Sequence, residues 1–257
     1  ACKPPTYTPP LQKADGGWAL NDQERANTFA NHLENVFRPN DIASTIQPHI
    51  LYQEGPAIKL CTPGEIGHVI NKQLNPKKAP GHDLISARML QELPRKGIVM
   101  LTILCNAVLR LRHEPCQWKI ARMPPSEPGS YRPISLPSTI SKLFEKLLMR
   151  RLTPLAQEMN VIPKHQFGFR VKHSTLEQVH RVSTTIRHAL EGKKHCPAVF
   201  IDVSRAFDKV WTAGLLHKCS RIFSAPYIQL LESYLADRRL RVHYGSGVSE
   251  AKLIRAG

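Results

Sequence analysis

Long hydrophobic runs and acidic residues are both scarce in this sequence of 257 residues. No stretch approaches the ~18 consecutive apolar residues that a membrane-spanning helix requires, so no such helix is expected. Asp and Glu total 20 against 36 Lys and Arg, which gives a formal net charge of +16. This excess favours a polyanionic partner such as a nucleic acid, although charge alone also fits a merely basic globular protein.

Paired cysteines and a targeting segment are also missing. The six cysteines are scattered without a Cys-x-x-Cys pair, which argues against a disulfide framework and indicates a reducing compartment. His113 and Cys116 have the spacing of half a zinc site, but no second pair accompanies them, and we interpret them as structural or accidental. The chain starts without Met and without an apolar signal run, so we expect it to be a segment of a longer, non-secreted protein.

The spacing of apolar residues predicts amphipathic helices, one buried strand and a hairpin. The clearest helix starts are two capping-box patterns, in which Thr62 and Ser174 are each followed three residues later by Glu. Residues 198–201 are apolar and of high strand propensity, which indicates a buried strand, and the alternation over 240–254 predicts a hairpin. Helices are predicted over residues 21–37, 62–74, 84–112, 141–152 and 174–192, of which 84–112 is expected to cross the core. This order of elements predicts an α+β protein in which structure begins near Trp18.

Asp202 directly follows the predicted strand, where an ionised side chain needs a partner. One possible partner is Mg²⁺, a hard cation that takes one or two carboxylates and keeps its other positions for water and substrate phosphates. The other possibility is that the carboxylate caps a following helix. The pattern of residues around Asp202 leaves both possibilities open.

Four blocks of the sequence resemble motifs of reverse transcriptases from jockey-type non-LTR retrotransposons. The block that contains Asp202 resembles the first palm motif of this family, and the others resemble two finger motifs and the block upstream of them. The blocks are FIDVSRAFDKVW (200–211), YRPISL with SKLFEK (131–136 and 141–146), QFGFR through HST (166–175) and KKAPGHD (77–83). Because they occur in the expected order over residues 18–257, the chain is identified as a member of this family.

The resemblance implies a right-hand polymerase fold of the α+β class, with fingers, a partial palm, a helix-rich N-terminal part and an incomplete palm sheet. The implied regions are a flexible lead-in over 1–17, an N-terminal helical region over 18–75, a fingers-like region over 76–190 and the start of the palm over 191–257. The implied partners are an RNA template, a DNA primer and deoxynucleoside triphosphates, with Mg²⁺ as the cofactor. The implied location is the nucleus and cytoplasm.

The resemblance also implies roles for the residues around Asp202. Asp202 would bind the catalytic Mg²⁺ pair, and the backbone carbonyl of Val203 would add a ligand. The backbone amides of Arg205 and Ala206 would hold the triphosphate at a helix N-terminus. Phe207 would stack under the sugar and exclude a 2′-hydroxyl, whereas the residues alone favour a core aromatic on the first turn of a helix.

Five basic residues complete the predicted site. Arg132 and Arg170 are candidates for triphosphate or template contact, because a guanidinium forks onto phosphate oxygens, or else for interior salt bridges. Lys77 and Lys78 lie in a proline-rich loop that suits a phosphate backbone, with an ordinary interhelical turn as the alternative. Lys142, on a basic amphipathic helix, is predicted to contact nucleic acid as well.

Two features depart from the family pattern. The family places an aromatic-Ala-Asp-Asp turn in the palm, whereas this chain contains no adjacent pair of aspartates. The stretch over residues 121–130 is also shorter than its counterpart in the family, as if part of the fingers were deleted. We therefore predict that this chain does not polymerise DNA by itself. The alternative function is a non-catalytic protein that binds RNA or DNA.

Overall fold

The computed structural model describes residues 11–13, 15–39, 48–123, 135–203 and 205–257. The chain divides into two compact units, the first made of residues 1–152 and 206–257 and the second of 153–205. The helices are α1 (Asp22–Val36), α2 (Pro63–Lys72), α3 (Ala87–Gln91), α4 (Arg95–Leu111), α5 (Thr139–Glu158), α6 (Thr175–Glu191), α7 (Thr212–Cys219) and α8 (Ala225–Leu235). The strands are β1 (Leu11–Gln12), β2 (Trp18–Ala19), β3 (Ile120–Met123), β4 (Arg239–Tyr244), β5 (Gly247–Val248) and β6 (Lys252–Leu253). This mixture of helix and sheet agrees with the predicted α+β class.

Strand β4 is the centre of the sheet in the first unit. It pairs with β3 in parallel, with Ile120 opposite Arg239, and it pairs antiparallel with both β5 and β6. The hairpin predicted over 240–254 is therefore confirmed. Strand β3 was not predicted, because four residues are too few to give a periodic signal.

Helix α1 covers one face of this sheet and forms a hydrophobic core with it. Phe29 and its neighbours on α1 pack against buried side chains of β3 and β4, and the Phe29 and Tyr244 rings stack with centroids 5.9 Å apart. The helix begins where predicted, because the Asn21 side chain accepts a hydrogen bond from the Glu24 amide at 2.8 Å. The core residues are Ala26, Phe29, Ala30, Phe37, Met123, Leu240, Val242 and Tyr244.

Both predicted capping boxes are confirmed. At the start of α2, the Glu65 amide donates to Thr62 Oγ1 at 3.2 Å and the Thr62 amide donates to Glu65 Oε2 at 3.0 Å. Ser174 and Glu177 make the same reciprocal pair at the start of α6. Helix α2 buries its apolar face, whereas α6 buries none of its side chains and exposes its apolar stripe. The local signal therefore fixes where a helix begins, while burial depends on what packs against it.

Two predictions about the first unit are wrong. Residues 84–112 do not form one core helix, because Pro94 separates α3 from α4 and α4 buries only one face, leaving Met100 and Ile103 exposed. Regular structure also begins before Trp18, because β1 lies within the predicted lead-in and pairs with β2. Residues 1–10 and 14 lie outside the described part of the chain. The five cysteines in the described residues are all free. No described helix combines the length and hydropathy needed to cross a membrane.

Candidate functional site

The predicted site residues fall in both compact units. Five of them, Lys77, Lys78, Lys142, Ala206 and Phe207, belong to the first unit. Four of them, Arg170, Asp202, Val203 and Arg205, belong to the second. Arg132 lies outside the described residues.

Asp202 lies in an exposed segment without regular secondary structure instead of at the end of a buried strand. Phe200 and Ile201 are 90% and 87% exposed, and the Asp202 side chain is exposed too. The predicted strand over 198–201 is therefore wrong. The prediction fails because a strand forms only when its backbone pairs with a neighbouring strand. No segment among the described residues pairs with this one. Asp202 and Val203 are both exposed to solvent.

The predicted helix N-terminus at Arg205 and Ala206 is also wrong. Arg205 has a left-handed backbone with φ of 54°, residues 205–209 form turns, and the next helix begins only at Thr212. A left-handed residue breaks the run of parallel amides that a helix start would offer to a phosphate. Phe207 is 69% exposed and is not a core aromatic.

Arg170 has an acceptor within its own loop. Its Nη1 donates to the Pro163 carbonyl at 3.2 Å, which closes the loop ahead of α6. In the same loop Phe167 packs edge-on against His173, and the Arg181 guanidinium lies 5.1 Å from the centre of the Phe167 ring. Among the described residues Arg170 forms no salt bridge, and this hydrogen bond uses one of the five N–H donors of its guanidinium.

The three predicted lysines lie together in the first unit. The loop that carries Lys77 and Lys78 is shaped by Asn75, whose side chain accepts from the Lys77 amide at 2.9 Å. Lys142 Nζ, on the first turns of α5, donates to the Ala79 carbonyl of this loop at 3.4 Å. Partial burial lowers the pKa of Lys142, and the nearby charge of Lys78 lowers it further, while Glu145 and Asp83 raise it. We refer to Lys77, Lys78 and Lys142 as the lysine cluster.

Two further contacts anchor the loop of the lysine cluster between β3 and α5. His82 Nδ1 lies 3.1 Å from the Ile120 carbonyl, and Thr139 Oγ1 donates to the Ile85 carbonyl. Arg122 and Leu136 exchange backbone hydrogen bonds at 3.1 and 2.9 Å. Three blocks that stand apart in the sequence, 77–83, 135–136 and 138–142, therefore meet in one place, which gives the lysines a fixed backbone support.

Gly81 of this loop lies close to the backbone just before α5. A Cβ built on it would lie 2.7 Å from the Ser138 amide nitrogen and 2.8 Å from the Pro137 carbonyl, both backbone atoms. We expect Gly81→Ala to lower the free energy of unfolding by about 1–3 kcal/mol, because the loop must move away. Gly67→Ala on α2 is the matched control, since nothing lies within 4 Å of its Cβ position. That substitution should raise stability by about 0.5–1 kcal/mol, and chemical denaturation of both variants would test the contrast.

Sequence reasoning missed two groups of charged residues. The first is a buried polar cluster around Glu114, which is 1% exposed and accepts from Ser141 Oγ at 3.3 Å. The second is the outer face of β4, where Arg239, Arg241 and His243 alternate with buried apolar residues. The alternation was visible in the sequence, whereas the contact between Glu114 and Ser141 joins distant segments. In the described part of the chain, no three His, Cys, Asp or Glu side chains gather to hold a metal ion.

Comparison with known proteins places these features in a family. Residues 122–257 match the family described as reverse transcriptase (RNA-dependent DNA polymerase). The chain is 42% identical, over 96% of its length, to the probable RNA-directed DNA polymerase from transposon BS of Drosophila melanogaster. It is 40% identical over 98% of its length to the X-element counterpart, and 35% over 98% to the RNA-directed DNA polymerase from mobile element jockey, both of the same species.

The chain spans 29% of the length of each of these three relatives. The family match begins within β3 and takes in α5, the segment that carries Asp202 and the whole of β4. It thus covers more than half of the chain, including the residues of the first palm motif and of both finger motifs. The chain belongs to the reverse transcriptase family and is similar to the polymerases of jockey-type non-LTR retrotransposons.

Proposed function

We propose that this chain is part of an RNA-directed DNA polymerase of a non-LTR retrotransposon, which extends a DNA primer on an RNA template. The observation that carries the proposal is the block FIDVSRAFDKVW within the matched residues, with the Asp202 carboxylate exposed at its start. The proposed arrangement is a right hand, with fingers over 76–190 and the palm from 191. Residues 18–75 are the proposed N-terminal helical region, preceded by a lead-in over 1–17.

Polymerases of this family use divalent metal ions, and we propose Mg²⁺ for this one. The donor type fits, because Mg²⁺ prefers carboxylate and carbonyl oxygens such as those of Asp202 and Val203. The number of donors does not fit a metal pair, because the described residues gather no group of three possible ligands. We therefore assign to Asp202 one ligand position and leave the remaining carboxylates to other parts of a longer polymerase.

The nucleotide and nucleic-acid contacts are proposals as well. The lysine cluster suits the phosphates of the template or primer, because Lys142 of α5 is hydrogen-bonded to the loop that carries Lys77 and Lys78. Arg170, and with it Arg132, is proposed to contact the triphosphate or the template. Arg205, Ala206 and Phe207 are proposed to lie near the incoming nucleotide, with turn amides taking the place of the helix start expected from the sequence.

A chimeric polymerase tests the role of Asp202. We would replace the matching segment of the transposon BS protein by this chain and measure Mg²⁺-dependent primer extension on an RNA template. Asp202→Asn should lower the rate by about 100-fold or more, because the metal loses a charged ligand. Asp15→Asn, at an exposed aspartate outside the family match, is the control and should leave the rate unchanged. Equal activity of the two variants would contradict the proposed role.

The second candidate is a nucleic-acid-binding protein without catalysis, favoured by the net charge of +16 and by the single proposed metal-ligand carboxylate. Assays of nucleic-acid binding and primer extension with the 257-residue chain alone distinguish the two functions. We expect it to bind nucleic acid without extending a primer, because it contains no adjacent pair of aspartates. Extension that Asp202→Ala abolishes would show that this chain suffices for polymerisation.

A further inference from the structure

The face of the sheet opposite α1 carries a row of basic side chains. Side chains alternate between the two faces of a strand, so that Leu240 and Val242 point into the core while their neighbours point outward. The outward residues of β4 are Arg239, Arg241 and His243. Arg122 of β3 pairs directly with Arg241 in the sheet register. We call Arg122, Arg239, Arg241 and His243 the basic sheet face.

The basic sheet face is electrostatically unfavourable for the isolated protein. Arg122 and Arg241 are register partners in the parallel pair of β3 and β4, so their like charges lie side by side and repel each other. None of the ion pairs among the described residues includes a member of this face. Burial lowers the pKa of His243, and the charges of Arg122, Arg241 and His82 lower it further. The electrostatic potential at this face is therefore positive and favours the binding of an anion.

The basic sheet face and the lysine cluster are linked within the first unit. His82 belongs to the loop of the lysine cluster and lies 3.1 Å from the Ile120 carbonyl at the start of β3. The charge of His82 also acts on His243, across the sheet face. Because Ile120 is opposite Arg239 in the register, the loop adjoins the sheet at the level of the exposed arginines. The loop that carries two of the lysines therefore lies beside the basic sheet face.

The spacing of the basic side chains and the lack of aromatic ones indicate what kind of partner the basic sheet face binds. Alternate residues on a strand are ~6.6 Å apart, a spacing comparable with that of successive phosphates along one nucleic-acid strand. Proteins that hold single strands add aromatic platforms on which bases stack. The outward positions of β3 and β4 carry no Phe, Tyr or Trp, since Tyr244 packs in the core. These features favour contact with backbone phosphates alone.

We propose that the basic sheet face binds the phosphate backbone of a nucleic-acid duplex, independently of base sequence. Such binding does not require polymerase activity, so it can hold even where the proposed catalytic role of Asp202 fails. Each phosphate neutralised by an arginine releases condensed counterions, which makes binding depend steeply on salt. The slope of log K against log salt is therefore proportional to the number of phosphates that the arginines contact.

The test is a salt titration of duplex binding by the full 257-residue chain, measured by fluorescence anisotropy without Mg²⁺ or nucleotide. Two RNA–DNA hybrids of different sequence and one single-stranded RNA serve as probes. The variant Arg122→Gln/Arg239→Gln/Arg241→Gln should weaken hybrid binding by at least 10-fold at low salt. It should also reduce the slope of log K against log salt by about 2–3, since each phosphate contact contributes about 0.9.

Two further variants separate specific contact from bulk charge and from misfolding. Arg95→Gln/Lys96→Gln/Arg110→Gln removes the same charge from exposed positions of α4 and should change hybrid affinity less than about 2-fold. Arg239→Gln/Arg241→Gln leaves the half-buried Arg122 in place and should still reduce the slope by about 2. Equal losses in the two triple variants, no loss in the double variant, or tighter binding of single-stranded RNA than of hybrid would each overturn the proposal.

Discussion

Replacing Arg151 by alanine should lower the free energy of unfolding by roughly 3 kcal/mol, because it breaks a buried ion pair from one side. The Arg151 side chain is 6% exposed, and its two terminal nitrogens each donate to a Glu65 carboxylate oxygen at 2.9 Å. Its Nε donates to the Lys59 carbonyl at 3.2 Å, and Nη2 also donates to the Leu60 carbonyl at 3.1 Å. Truncation would leave these acceptors without a partner. The Glu65 side chain keeps 28% exposure and can partly rehydrate, which places the loss at the lower end of the usual range.

Acid should reduce the effect of Arg151→Ala. The hydrogen bonds from Arg151 lower the pKa of Glu65, so its contribution to stability is present above the unfolded pKa and is lost as pH falls through the folded one. Urea denaturation of the wild type and the variant between pH 7 and pH 3 would measure this. Arg150→Ala, at the preceding and more exposed position of α5, is the control. A loss from Arg150→Ala as large as that from Arg151→Ala would contradict the ion-pair explanation.

Replacing Glu114 by glutamine should remove a pH-dependent loss of stability. Burial raises the pKa of Glu114 from its ordinary 4.5 to about 7, although the charges of Arg238 and Lys119 oppose the shift. Between these two values the folded protein holds a proton that the unfolded chain has released, so stability falls as pH rises across this window. Glutamine is uncharged at every pH. The stability of Glu114→Gln relative to the wild type should therefore increase by on the order of 3 kcal/mol from pH 4.5 to pH 8.

Thermal or urea unfolding at several pH values would measure this relative stability. The neutral side chain is expected to be tolerated, because Ser141 Oγ, 3.3 Å from Glu114 Oε1, can donate or accept. Glu54→Gln, at an exposed position in the same unit, should alter stability by less than about 0.5 kcal/mol throughout. A relative stability of Glu114→Gln that stays constant between pH 4.5 and pH 8 would show that Glu114 is already ionised in the folded protein.

Local signals in the sequence predicted where several elements begin. The capping boxes at Thr62 and Ser174 each depend on residues only three positions apart, and both are present. The hairpin after β4 was likewise predicted from alternation and a glycine turn. Residues 198–201 differ, because a strand also needs a partner from elsewhere in the chain. The local sequence of residues 198–201 does not show whether such a partner exists, and none of the described segments pairs with them.

In the candidate site, too, features that depend on nearby residues were predictable and contacts between distant segments were not. The resemblance found the lysine cluster and the Asp202 block as separate pieces of sequence, and the structure brings the loop at Lys78 and the helix at Lys142 together. The basic sheet face could have been found from the repeat of cations at every second position of β4. The pairing of Arg122 with Arg241 could not have been predicted, because β3 is too short to give a periodic signal and lies far from β4 in the sequence.

The parallel pairing of β3 with β4 joins Ile120 to Arg239, 119 positions apart (239 − 120). The second unit, residues 153–205, lies within this segment and accounts for 53 of those positions. Loop-closure entropy grows only with the logarithm of length, so adding 53 residues to a loop of 66 disfavours the pairing by merely about 0.5 kcal/mol. The kinetic effect is larger, because non-local strand pairs form late and slow the folding of a domain. Insertions and deletions between these two strands should therefore leave the final sheet intact while setting how long the chain takes to reach it.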